Sequence, residues 1–166
     1  MTTHSRPFDP ERLLRALAAE NVRFVLVGAM GARLHGFPRM TAVANIAPAR
    51  DDDNLERLAR ALRGLDAKVY TDAIPDGLPF DVSARAISRA ELWNLVTDAG
   101  RLDLVFMPAG TGGYDDLAPR ADRFEVYGHV LLVARLEDIL RSKEAADRPQ
   151  DRQDAIIIRQ MLAGKR

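Results

Sequence analysis

The sequence predicts a mixed α/β fold, in which a mixed β-sheet is flanked by helices and closed by a helical C-terminal part. Three observations carry this expectation. Short apolar runs alternate with stretches of helical period, two hairpin patterns fall in the second half, and two helical patterns divided at Pro149 end the chain. At 166 residues the length predicts one domain spanning 1–166, with an N-terminal helix inside 1–20 and a helical part over about 135–163. With 47% hydrophobic and 29% charged residues the composition is that of an ordinary globular chain.

The elements follow in order. Asp9-Pro10 supplies an N-cap and a proline at the first helical position, and Leu13, Leu14, Leu17 and Ala18 then share a face. Phe24-Val25-Leu26-Val27 is a continuous apolar run of the buried-strand kind, ending at Gly28. Ala29 to Leu34 suits a short helix, stopped by Gly36-Phe37-Pro38. Met40 to Ala47 reads as a second strand and Asp51 to Leu62 as a helix with an acidic first turn. Ala67 to Thr71 is expected as a strand, Phe80 to Ala86 as an extended segment, and Arg89 to Trp93 as a short helix capped by Ser88. A hairpin follows, Leu95–Thr97 to Leu102–Phe106, with Asp98-Ala99-Gly100 at its tip. Pro108 to Gly113 is a loop, Tyr114 to Arg120 a short helix, and Phe124 to Val133 a second hairpin turning near Gly128. Leu136–Ala146 and Gln150–Leu162 are the closing helices.

Composition removes several chemistries. No cysteine is present, which excludes thiol catalysis, thiolate metal sites and disulfides. No run approaches the roughly 18 apolar residues of a membrane span. Met1 to Pro7 lack the apolar core of a secretion signal, so a cytoplasmic protein without a membrane partner is expected. The formal net charge is zero, so no global field draws the chain to nucleic acid. Only Lys68, Lys143 and Lys165 are lysines among 24 basic residues, which singles out Lys143 in a helix.

The most informative stretch runs from Val25 to Thr41. A buried strand enters a small-residue turn, Gly28-Ala29, that opens a helix whose unpaired N–H groups suit phosphate. A second strand then returns, beginning Arg39-Met40-Thr41. Further on stand Arg101-Leu102-Asp103-Leu104, the loop Pro108 to Gly113, and the late helix Leu136 to Ala146 with Ser142-Lys143, followed by Arg148-Pro149-Gln150-Asp151 and Asp154. Taken in this order, the segments resemble the nucleotidyltransferase fold of AbiEii-like toxins and related toxin–antitoxin nucleotidyltransferases, over roughly residues 20 to 160.

The resemblance implies a nucleotidyltransferase-like sheet, a nucleoside triphosphate with Mg²⁺ as cofactors, and transfer of a nucleotidyl group to an acceptor such as tRNA, with a cognate antitoxin as protein partner. It places Gly28, Ala29, Arg39, Thr41, Lys143 and Asp154 at the nucleotide, and Asp103 as a metal-binding carboxylate. It implies catalytic roles for Asp103, Lys143 and the two positions of an Asp-x-Asp pair. Those two positions are degenerate here. Thr41-Ala42-Val43-Ala44-Asn45 offers Val43, which has no ligand atom, and Asn45, whose amide oxygen is neutral. Alternation along a strand would put Thr41, Val43 and Asn45 on the face toward the cleft, with Asp103 the one remaining anion. Two ions about 3.5–4 Å apart need more carboxylate than that. The neighbouring acidic run Asp51-Asp52-Asp53 is read as a helix cap.

Three functions stand open on these residues. The chain is a catalytically impaired nucleotidyltransferase-fold protein that retains nucleotide, RNA or partner binding. Alternatively it is an active Mg²⁺-dependent toxin modifying tRNA, or a non-enzymatic interaction module of the same fold.

Overall fold

The computed structural model describes residues 6–165, so the reading of Met1 to Ser5 lies outside the described residues. Helix α1 (Pro10–Ala19) starts where Asp9 accepts a hydrogen bond from the Arg12 N–H, and it buries Leu13, Leu14 and Leu17. Strand β1 (Phe24–Val27) is buried along its length and passes directly into α2 (Gly28–Leu34). Strand β2 (Val43–Pro48) returns antiparallel to it, with Val27 opposite Asn45. Helix α3 (Asp52–Gly64) is capped by Asp51, as the acidic run predicts. Its first turn carries Asn54, fully buried, which accepts from the Arg23 N–H and donates to the Arg23 and Ala49 carbonyls. That amide ties the start of β1 to the end of β2.

The chain departs from expectation in four places between β1 and the first hairpin. Strand β3 is only Lys68–Val69, because past Tyr70 the chain closes into a turn held by the Thr71 hydroxyl and carbonyl on the Ile74 N–H. The expected extended segment Phe80–Ala86 is irregular and then helical: Ser83 accepts from the Ala86 N–H and caps α4 (Ala84–Ile87). The expected helix Arg89–Trp93 does not form. Ser88 ends α4 instead of capping a new helix, and Trp93 already belongs to β4 (Leu92–Thr97), its indole donating to the Ile87 carbonyl. Strand β2 likewise starts at Val43 and not at Met40, because the Thr41 hydroxyl bonds both the N–H and the carbonyl of Val43.

From there the predicted order holds. Strand β5 (Gly100–Val105) completes the first hairpin, and Gly100 has φ +95°. A Cβ there would also meet the Phe8 backbone at 2.8 Å, where the N-terminal segment crosses the hairpin tip. A short α5 (Tyr114–Leu117) and a 3₁₀ turn precede β6 (Asp122–Val126) and β7 (His129–Val133). Tyr127 and Gly128 both take positive φ between them, as a two-residue hairpin turn requires. Helices α6 (Leu136–Ala146) and α7 (Pro149–Gly164) close the chain, with Pro149 at the first position of α7.

The seven strands form one mixed sheet in the order β3-β4-β5-β2-β1-β7-β6. The β1–β7 and β2–β5 pairs are parallel and the others antiparallel. One face carries Leu26, Ile46, Leu102 and Leu104 and packs on α1 and α3. The other carries Val25, Val27 and Ala47 and packs on Ala32, Leu117, Ile139 and Ile158 from α2, α5, α6 and α7. His35 serves packing: its ring bonds the Ala134 carbonyl at 2.9 Å and meets Phe124 edge-on. Among the described residues no helix is long and apolar enough to cross a membrane.

Candidate functional site

A cleft of about 390 Å³ lies between the sheet, at Val27, Asn45 and Val105, and residues of α5, α6 and α7. That size falls within the roughly 300–1,000 Å³ of small-molecule sites. Its floor is largely apolar, built from Val27, Ala29, Val105, Pro108, Ala134 and Ile139. Gly28 and Asn45 complete the sheet side. Arg39 enters from the loop before β2, and Ser142 and Lys143 from α6. Arg148, Gln150, Asp151 and Asp154 enter from the start of α7. Gly28 has φ +66°, and a Cβ on it would lie 2.5 Å from the Asn45 Nδ2. Glycine is thus required twice at this turn, for the left-handed backbone and for the approach of the amide.

The row expected to hold metal is present as a row but not as a metal site. The register places Val27, Asn45 and Asp103 side by side across β1, β2 and β5, and Val43 beside Arg101. In both β2 and β5 the partly exposed positions alternate with buried ones, which puts Val43, Asn45, Arg101, Asp103 and Val105 on one face. Thr41 precedes the strand and turns its hydroxyl to Val43, so it does not join them. Asp103 is held by Arg101 at 2.9 Å, and that guanidinium also stacks on the Tyr70 ring 3.6 Å from its centroid. Burial pushes the Asp103 carboxyl up, and Arg101 offsets only part of this. A hydrocarbon, a neutral amide and a carboxylate already paired to arginine do not fit a pair of magnesium ions. Among the described residues no group of three or more histidine, aspartate or glutamate side chains is arranged to hold a metal ion.

A second cluster forms the opposite wall. Asp154 is 1% exposed and accepts from Arg39 at 2.6 and 3.3 Å and from Gln150 at 2.9 Å, with the Lys143 ammonium 3.0 Å away. Lys143 lies 3.7 Å from Asp151, which in turn takes the Arg148 guanidinium at 2.6 Å. Burial acts to raise the pKa of Asp154, but the bonds from Arg39, Lys143 and Gln150 outweigh it and hold the carboxyl below its ordinary value. The same balance, with Arg148 as chief partner, lowers Asp151. Asp138, 3% exposed, lies within 3.4 Å of Arg120, Arg135 and Arg141.

Exposure decides what a ligand meets. The cleft carries three cations, Arg39, Lys143 and Arg148, and three anions, Asp138, Asp151 and Asp154. The anionic side chains are 4, 5 and 1% exposed, whereas those of Arg39 and Arg148 are 41 and 77% exposed. The carboxylates are thus neutralised inside, and the rim turned to solvent is cationic.

Of the residues singled out from sequence, Gly28, Ala29, Arg39, Asn45, Lys143 and Asp154 line this cleft, while Thr41, Val43 and Asp103 do not. Asp154 stands behind Arg39 and Lys143 as their buried counter-ion instead of facing the cleft as a free group. Sequence reasoning missed Asp138 as a cleft residue, and it missed Arg101 as the clamp on Asp103. Arg101 stands two residues before Asp103 on one strand, a spacing that puts both on one face and so carries the signal. No family model matches the chain, and no curated protein matches it.

Proposed function

We propose that the protein is a nucleotide-binding member of the nucleotidyltransferase-like class in which metal-driven transfer is impaired. One observation carries this reading. Six positions singled out by resemblance, from segments as far apart as Gly28 and Asp154, converge on one cleft with an apolar floor and a cationic rim. The floor accommodates a base or sugar, and the rim accommodates phosphate through Arg39, Lys143 and Arg148. Impairment rests on the donor set: Val43 and Asn45 bring no charge to the row, and the charge of Asp103 is cancelled by Arg101. Mg²⁺ is therefore no part of the proposed ground-state site.

Thermal unfolding with ATP, GTP, CTP and UTP, each with Mg²⁺ and with EDTA, tests the binding half. Ligand at a hundred times its Kd stabilises by about 2.7 kcal/mol, a readily measured rise in melting temperature. No shift at millimolar nucleotide overturns the reading. Transfer of labelled nucleotide to total tRNA tests the other half: no incorporation above background is expected, and robust incorporation overturns the impairment.

A further inference from the structure

The floor of the cleft contains a polar atom without a partner. Asn45 Oδ1 is buried and accepts no hydrogen bond from any described residue. A buried carbonyl left this way costs about 1–3 kcal/mol, so native structures rarely keep one without a reason. The neighbours explain why no protein donor reaches it. Val27 flanks Asn45 on one side, and on the other Asp103 has its carboxylate turned to Arg101. Gly28 offers no side chain and lies against the Nδ2 end of the amide. The terminal torsion of asparagine is broad and roughly two-fold, so turning the amide over exchanges Oδ1 with Nδ2, the end that lies against Gly28 in the cleft lining.

We propose that Asn45 is the residue that reads the cleft's ligand, accepting a hydrogen bond from a neutral N–H or O–H donor on a nucleotide whose phosphate sits at the cationic rim. The inference rests on the nucleotide-binding reading above and deepens it. A neutral amide beside Val27, in a cleft that Val105 and Pro108 also line, favours a neutral donor over a divalent ion, since amide oxygen alone replaces little of a magnesium ion's hydration. The donor on a nucleotide is a ribose hydroxyl or a base amine, and the probes below separate the two. Asn45 thus acts in recognition, and binding proceeds without metal.

Calorimetric titration in EDTA with AMP, 2′,3′-dideoxy-AMP and the monophosphate of unsubstituted purine riboside tests this on the wild type, Asn45→Leu and Asn45→Asp. Wild type is expected to bind AMP equally in EDTA and in Mg²⁺. Asn45→Leu is expected to lose about tenfold, the scale of one hydrogen bond with a desolvated partner. The analogue lacking the true donor loses a similar factor on wild type and nothing further on Asn45→Leu, as a coupled pair must. Asn45→Asp keeps an acceptor but adds a charge, so its AMP affinity falls in EDTA. Should leucine disturb the Gly28 contact, as seen in a lowered melting temperature, Asn45→Ala repeats the comparison without added bulk. If wild type binds AMP but the leucine and alanine variants bind it equally well, or if binding needs Mg²⁺, the role of Asn45 is overturned while the nucleotide-binding reading stands. If no nucleotide binds the folded wild type, both fall.

Discussion

Asp154→Asn isolates what the buried charge contributes, because the side chains are nearly isosteric. In the wild type this carboxylate, 1% exposed, faces Arg39, Lys143 and Gln150. Removing one partner of a buried ion pair costs about 3–5 kcal/mol, mostly by stranding the other. Two features argue for the lower end. Arg39 is 41% exposed, so water screens it once released, and Lys143 keeps Asp151 at 3.7 Å. The 12% exposed Lys143 is therefore only partly stranded, and a loss of about 3 kcal/mol is expected at pH 7. For a chain of this length that lowers the melting temperature by roughly 6–12 °C.

The pH dependence adds a check that a packing defect would fail. Asp154 lies below its ordinary value of 3.8 in the folded state. Its stabilisation is therefore fully present above that unfolded value and is lost as pH falls through the lower folded one. The variant has no such titration. Urea unfolding of both proteins between pH 7 and pH 3 should show a gap that is constant at first and narrows below about pH 4. A loss under about 1 kcal/mol at pH 7, or a gap unchanged at pH 3, would refute the assignment of Asp154 as the charge that holds the α6–α7 wall.

Three further outcomes are expected. Gly28→Ala should destabilise by about 2 kcal/mol in urea unfolding, through the left-handed φ and the displaced Asn45 amide. Gly128→Ala, with φ +80° but open space around its Cβ, should cost about half that, and equal losses would deny the Asn45 contact any weight. Asp116 is held at about 2, first by the Gly112 N–H and then by Arg120 and Arg141. Because that value is depressed, the wild-type advantage over Asp116→Asn should persist from neutral pH to about 4 and vanish as pH falls toward 2, followed by circular dichroism. In carboxyl NMR, Asp103 should titrate above the ordinary aspartate value and higher still in Arg101→Gln, since burial raises it and Arg101 is the group that lowers it. A downward shift in that variant would show that Arg101 is not its partner.

What could be read from residues alone divides by the range of the interaction. Asp9-Pro10, Asp51 and the Asp98-Ala99-Gly100 tip were legible because caps and tight turns are decided within a few residues. The segment from Phe80 to Trp93 was not. Two serines there, Ser83 and Ser88, both suit a cap, and the choice falls to Ser83 because Trp93 is drawn into β4, against Phe80 and the core. Tertiary packing overrode local propensity. The same holds in the site: strand alternation predicts Thr41, Val43 and Asn45 on one face, which holds for Val43 and Asn45 but not for Thr41, and only the β2–β5 register brings Arg101 and Asp103 beside them. The clamp that takes Asp103 out of play is a contact between side chains, which spacing permits without deciding.

Charge bookkeeping connects the neutral row with the charged wall. On the proposed reading, a metal-using ancestor of this cleft would need carboxylates on β2 to hold cations, and those cations to hold phosphate. With Val43 and Asn45 at the two positions, neither half of that arrangement is required. Asp103 and Arg101 cancel, so the row contributes almost no field to the cleft. The opposite wall keeps Arg39, Lys143 and Arg148 in place because Asp151 and Asp154 are buried behind them. A phosphate arriving at the rim then meets cations whose positions are already fixed and no carboxylate that must first be neutralised. On the proposed reading, anion binding then needs no metal pair, for an electrostatic reason, and the uncharged Asn45 amide is the natural place for the ligand's remaining polar contact.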